Sequence, residues 1–266
     1  MDATTQTLEL SESSTELYRK GDGPTLLLIM GAGTGKAAWY PIIDLLADEV
    51  DCVTFDNRGV GAASDITEPL TIDLLAADAA EVIEQLDEGP VHVGGVSLGG
   101  MIAMRLASER PDLVKSLTLH STAAALDGRV HDVNEFRMSI IDSGAPLSAL
   151  REFVALWSEG SIGLDFELPS SSVATEAFNR ENYFNHMSAA RTHAMTTEEL
   201  VRISAPTLIT VGSDDILTTT ENAEHLHRSI AGSTLLTVEG AGHGYYISDP
   251  NTVAMLQRGW VLRHAD

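Results

Sequence analysis

The chain has 266 residues, 44% hydrophobic and 21% charged, enough to bury the core of one domain or of a domain with an insert; disordered and collagen-like classes are excluded. Asp and Glu number 39 against 16 Lys and Arg, a net charge of −23 whose field repels phosphate backbones and anionic lipid, so neither nucleic acid nor a membrane is an expected partner. The one cysteine, Cys52, allows no internal disulfide and no cysteine-built metal site; no run reaches the roughly 18 apolar residues of a membrane span, and the acidic N-terminal stretch lacks a leader pattern, so the expected location is the cytoplasm.

Segments 7–10 and 16–19 alternate in polarity and read as leading antiparallel edge strands. Continuous apolar runs follow at 25–30, 52–55, 91–96, 116–119, 207–211 and 235–238, the pattern of strands buried on both faces. Helical periodicity fills the gaps at 38–47, 72–86, 100–109, 221–229 and 252–263. This order predicts an α/β fold, a mostly parallel central sheet with helices on both faces. The alternation breaks once, over 124–199, where helix-like patterns carry aromatics (Phe136, Phe153, Trp157, Phe166, Phe178, Tyr183, Phe184); a structureless stretch of that length is uncommon, so an inserted helical cap is expected, with 1–123 and 200–266 forming the core.

Val91-His-Val-Gly-Gly-Val-Ser97-Leu-Gly-Gly-Met101 runs from a strand through G-x-S-x-G straight into a helix. A sharp strand-to-helix turn lifts a serine hydroxyl above a sheet, and the small residues on either side leave room for it, so Ser97 is the candidate nucleophile. A serine hydroxyl needs a base to take its proton and an acid to orient that base. Of nine histidines, His243 stands in the Gly-rich loop after the last strand run and is the candidate base. Asp215 follows the run at 207–211, at the carboxyl edge where open α/β sheets place their sites; Asp214, one residue earlier, is the alternative. The order Ser97, Asp215, His243 is that of the α/β-hydrolase arrangement. For an oxyanion hole, the candidate backbone donors are Leu98, directly after the nucleophile, and Ala32, in the Gly-rich loop 31–35. That loop is not a phosphate loop: Ala37 follows Lys36, and the glycine spacing is G-x-G-x-G. Met30, Gly31, His120, Trp157 and Phe184 are candidate pocket residues.

With these motifs in place, and with Phe55-Asp-Asn-Arg-Gly-Val-Gly61, Ala205-Pro-Thr-Leu-Ile-Thr-Val-Gly212 and Gly240-Ala-Gly-His243, the chain resembles the α/β-hydrolase superfamily from about residue 10 to 263. Gly95-Val-Ser-Leu-Gly-Gly-Met-Ile102 and Arg110-Pro-Asp-Leu-Val114 are similar to the group of 3-oxoadipate enol-lactonases and cofactor-free haloperoxidase-like esterases. The resemblance implies a serine hydrolase with a small helical cap and no cofactor or metal, acting on a small-molecule ester or lactone. The sequence departs from the family where Met30 precedes Gly31 in place of a common histidine, and where Thr218 replaces a common proline. Arg137, Arg151, Arg180 and Arg191 are cationic candidates for a substrate carboxylate. A non-catalytic ligand-binding protein and a biosynthetic tailoring enzyme on the same scaffold stand as alternatives, because fold alone does not confer activity.

Overall fold

The computed structural model describes residues 2–126, 128–144, 160–161 and 179–266. Eight strands, β1 (Thr4–Glu9), β2 (Ser14–Lys20), β3 (Thr25–Ile29), β4 (Asp51–Phe55), β5 (Val91–Val96), β6 (Val114–His120), β7 (Thr207–Gly212) and β8 (Thr234–Val238), form one sheet. Its order is β1-β2-β4-β3-β5-β6-β7-β8. β1 pairs antiparallel with β2 and β2 antiparallel with β4, while every other pairing is parallel. The leading strands are thus an antiparallel edge on a parallel sheet, as their alternation predicts.

Side chains two apart along a strand leave by the same face, and the sheet sorts them into two cores. Leu27, Ile29, Val53 and Phe55 join one cluster with residues of α2 (Ile72–Leu86), α3 (Leu98–Glu109) and α7 (Thr220–Ser229). Leu26, Leu28, Met30 and Cys52 join the other with α1 (Tyr40–Leu46), Tyr245 of the short α8 (Tyr245–Ser248) and α9 (Pro250–Arg263). Burial of both faces explains why these strands read as unbroken apolar runs.

The helices start where the sequence provides a cap. Thr71 accepts the N–H of Leu74 at 3.1 Å at the head of α2, and Asp249 accepts that of Thr252 at 3.1 Å ahead of α9, with Pro250 in the first turn. Two expected boundaries move. The 38–47 stretch is a 3₁₀ turn (Lys36–Trp39) followed by α1, with Pro41 in the first turn of α1, where no N–H is needed. α3 begins at Leu98, two residues early, because the turn is completed within Ser97 itself.

The alternation breaks between β6 and β7. There α4 (Gly128–Asp142) packs on α5 (Arg180–Thr192), α5 packs on α3, and the short α6 (Thr197–Val201) is closed by a capping box of Thr196 and Glu199. The ends of this segment meet: Ala125 pairs with Ala194, and Met195 N–H donates to the Ala124 carbonyl at 2.9 Å. No helix among the described residues is long and apolar enough to cross a membrane.

Candidate active site

Four loops converge above the carboxyl ends of β3, β5, β7 and β8. The first is the turn at Ser97, which sits at φ 55°, ψ −119° between β5 and α3. A positive φ outside glycine costs of the order of 1–3 kcal/mol and persists only where the surroundings impose it. Here Ser97 N–H donates to the His120 carbonyl at 3.0 Å, and the Ser97 carbonyl accepts from Gly100 N–H, Met101 N–H and the Thr122 hydroxyl at 3.0, 3.2 and 2.8 Å. The glycines of the motif are steric requirements: a Cβ on Gly95 would lie 2.2 Å from the Gly99 carbonyl oxygen, and one on Gly99 would lie 2.2 Å from that of Ile29.

The second loop follows β7. Asp215 is 4% exposed, and its Oδ1 accepts the N–H groups of Leu217 and Thr218, each at 2.9 Å. Burial alone would raise its pKa; the His243 imidazole and the Thr218 donors more than offset that and hold the carboxyl below the usual range. Asp214 is turned outward, its carboxylate accepting the N–H and hydroxyl of Ser161 at 3.1 and 2.9 Å. One residue of register separates the two, and Asp215 is the one facing the imidazole.

The third loop follows β8 and is tied to the second: Ser213 N–H donates to the Val238 carbonyl and Asp214 N–H to that of Ala241, both at 2.9 Å. This brings His243 between the other two groups. Its Nδ1 lies 2.9 Å from Asp215 Oδ2 and its Nε2 lies 3.1 Å from Ser97 Oγ. A carboxylate only accepts, so the proton sits on Nδ1 and the Nε2 lone pair faces the serine hydroxyl.

Beside Ser97 runs the loop after β3. A Cβ on Gly31 would lie 3.4 Å from Ser97 Cβ, so backbone here approaches the serine closely. Ala32 and Leu98 both line the cavity that opens over Ser97. Leu98 is the first residue of α3, so its N–H has no partner within the helix, and the helix dipole adds partial positive charge there.

The cavity measures about 230 Å³, and its described walls include Met101 from α3, Leu126 from the connection between β6 and α4, Val130 from α4, and Tyr183, Met187 and Ala190 from α5. Gly31 lines it, whereas three other candidates do not. Met30 is fully buried in the core with α1 and α9, because it directly follows β3 and continues the strand's alternation, which sends its side chain to the opposite face from Ile29. His120 is likewise fully buried and held by Thr210 Oγ1, Tyr245 Oη and Gln257 Nε2 at 2.6, 3.1 and 2.9 Å; burial pushes its pKa down to about 4, and the site uses its backbone carbonyl. Phe184 is half-buried off the wall, the helical turn presenting its neighbour Tyr183 instead. Trp157 lies outside the described residues, as do Phe153, Phe166, Phe178 and Arg151. Arg191 pairs with Glu135 on the surface at 2.8 Å.

Sequence reasoning did not assign Thr218 a role, although an Asp followed three residues later by Thr is a spacing at which the hydroxyl returns to the carboxylate; Thr218 Oγ1 lies 2.8 Å from Asp215 Oδ2.

Residues 24–250 match the model of the alpha/beta hydrolase fold family, and the chain belongs to that family. Among curated proteins it is 38% identical over 129 residues to BpoC of Mycobacterium tuberculosis H37Rv, named for a non-heme bromoperoxidase; that match spans 48% of this chain and about half of BpoC, 49%. It is 25% identical over 272 aligned residues to the (E)-2-((N-methylformamido)methylene)succinate hydrolase of Acinetobacter baylyi, covering 96% of this chain and 97% of that one. Among solved structures, the enol-lactonase of Burkholderia xenovorans superposes with a TM-score of 0.83 over 97% of this chain and 100% of that one at 20% identity, a likeness of fold.

Proposed function

We propose that the chain is a serine hydrolase that cleaves a carboxylic ester or lactone through an acyl-enzyme. The observation that carries this reading is the unbroken hydrogen-bond chain from Ser97 Oγ through His243 to buried Asp215, at the floor of a cavity. In the proposed reaction His243 Nε2 takes the hydroxyl proton as Ser97 Oγ attacks the substrate carbonyl. The oxyanion that forms is met by the N–H groups of Leu98 and Ala32, each worth about 3 kcal/mol of barrier. Asp215 stabilises the imidazolium, which returns its proton to the leaving alcohol oxygen, or to the ring oxygen of a lactone. Water, deprotonated by His243, then releases the acid and frees Ser97.

Segment 124–199 is proposed to act as a helical cap that selects substrates. Support comes from its joined ends and from the Val130, Tyr183 and Met187 contacts with the cavity. The described lining is mostly apolar and holds no Asp, Glu, Lys or Arg, which favours an uncharged ester or lactone with a short acyl chain or small ring over a carboxylated one.

The test is labelling with a fluorophosphonate probe followed by peptide mapping, with turnover of a chromogenic short-chain ester alongside. Stoichiometric labelling of Ser97, lost in His243→Ala, is the expected result; folded protein that neither labels nor turns over any ester would defeat the reading.

A further inference from the structure

His186 on α5 is 0% exposed, and it touches two loops far away in sequence. Its Nε2 lies 2.7 Å from the Arg58 carbonyl oxygen, and its Nδ1 lies 3.2 Å from the N–H of Gly33. A carbonyl only accepts, so Nε2 carries the proton and Nδ1 is left as the acceptor for Gly33. Burial lowers the pKa of this imidazole and favours that neutral form.

The peptide thereby held is the one joining Ala32 to Gly33. Its other end is held as well, the Ala32 carbonyl accepting the Thr34 hydroxyl at 3.3 Å, and Thr34 N–H closes the loop on the Gly31 carbonyl at 3.4 Å. Gly33 has φ +65°, and a Cβ there would lie 2.4 Å from the ring of Tyr183, so α5 sits directly against the loop. The Ala32 N–H belongs to the neighbouring Gly31–Ala32 peptide, whose carbonyl is the one that accepts Thr34 N–H, so holding the Ala32–Gly33 peptide restrains the Ala32 N–H through the single Cα between the two planes. A second tie of α5 goes elsewhere: Asn182 Nδ2 donates to the Gly59 carbonyl at 2.9 Å without touching the loop.

We propose that His186 is a positioning residue for the oxyanion hole, its Nδ1 holding the Ala32–Gly33 peptide so that the Ala32 N–H is aimed at the developing oxyanion. The inference rests on the serine-hydrolase reading and on Ala32 as one of its two donors. It makes α5 a part of the catalytic scaffold as well as a wall of the pocket.

The experiment compares the intact chain with His186→Gln, His186→Asn and Asn182→Ala, using a chromogenic short-chain ester and the rate of fluorophosphonate labelling. Gln keeps a donor where Nε2 stood but loses the acceptor for Gly33; kcat and the labelling rate are expected to fall roughly 10- to 100-fold while KM stays within about threefold, since the donor acts mainly in the transition state. Asn places an acceptor near the Nδ1 position and is expected to recover activity to within about fivefold of wild type. Asn182→Ala loosens α5 from the 59 turn and is expected to leave kcat unchanged. Wild-type kcat in His186→Gln, or equal losses in His186→Gln and Asn182→Ala, would overturn the proposal. If the His186 variants do not fold, the ¹⁵N resonance of His186 Nδ1 in the unmutated chain decides: it is expected to shift when Ser97 is phosphonylated, and an unmoved resonance counts against the proposal. Failure of the unmutated chain to label or turn over would instead remove the serine-hydrolase reading, and this inference with it.

Discussion

Thr218 donates its hydroxyl to Asp215 Oδ2 at 2.8 Å, the same oxygen that receives the His243 Nδ1–H at 2.9 Å. The buried carboxylate therefore has four donors, the other two being the N–H groups of Leu217 and Thr218. Thr218→Val removes one charge-assisted bond while keeping shape and backbone, and kcat for a short-chain ester is expected to fall roughly fivefold, the equivalent of about 1 kcal/mol. Asp215→Ala removes the group that sets the imidazole tautomer, with an expected loss of about 10³-fold or more. Asp214→Asn, on the outward carboxylate bound to Ser161, is expected to stay within about twofold. A large loss in Asp214→Asn with little in Asp215→Ala would reverse this assignment.

A different carboxylate locks the turn that follows β4. The Asp56 side chain is 0% exposed and takes the Lys36 ammonium at 2.6 Å and the backbone N–H groups of Lys36 and Ala62 at 2.8 and 3.1 Å. Lys36→Met leaves a buried carboxylate with backbone donors alone, and removal of one partner of a buried pair is costly. An unfolding free energy lower by about 3 kcal/mol is expected in urea titration, with an unchanged slope. A loss under about 1 kcal/mol would mean that the backbone donors suffice. Lys36 thus has a structural use in the loop whose glycines superficially suggest phosphate binding.

Strands β3 to β7 were legible because burial on both faces keeps most of their positions apolar, whereas β8 at the sheet edge is partly exposed, and the turn at Ser97 was legible because its glycines are forced by contacts of 2.2 Å with backbone. Chain order sufficed to bring Ser97 and His243 into one candidate site, where their side chains lie 3.1 Å apart. It did not separate Asp214 from Asp215, since both follow β7 directly and the choice depends on Ser161 and Thr218. Pocket residues were the least legible. Strand alternation placed Met30 in the opposite core, a helical turn exchanged Phe184 for Tyr183, and His186 reaches Gly33 across 153 positions with no local pattern to mark it. Candidates between 145 and 159, Trp157 among them, lie outside the described residues.

The charge imbalance has its own consequence. With a net charge of −23, self-repulsion opposes the compact state at low ionic strength, and mobile ions screen it over about 10 Å at 0.1 M. The melting temperature is expected to rise by roughly 2–4 °C between about 10 mM and 0.5 M sodium chloride, corresponding to about 1 kcal/mol. The buried pairs Lys36–Asp56 and Arg58–Asp78, with N–O distances of 2.6 Å, are shielded from salt and should not cancel the gain. A melting temperature that is flat or falls with salt would show that the surface carboxylates do not oppose folding.

Acid should unfold the chain earlier than its carboxylates alone would require. Burial pushes the imidazoles of His92, His120 and His193 down to about 4. In the unfolded chain the same groups titrate near 6.5, so between about pH 6.5 and 4 the unfolded state binds protons that the folded state does not. Stability therefore rises with pH across that window: it is fully present above about 6.5 and is lost as the pH falls towards 4. Asp215, held below the usual carboxylate range, adds a further loss beneath about pH 4 in the same direction. The expected decline is about 1–2 kcal/mol per histidine between pH 7 and 5, read as a falling urea midpoint. An unfolding free energy that stays level from pH 7 to 5 would mean that these rings exchange protons with solvent in the folded state.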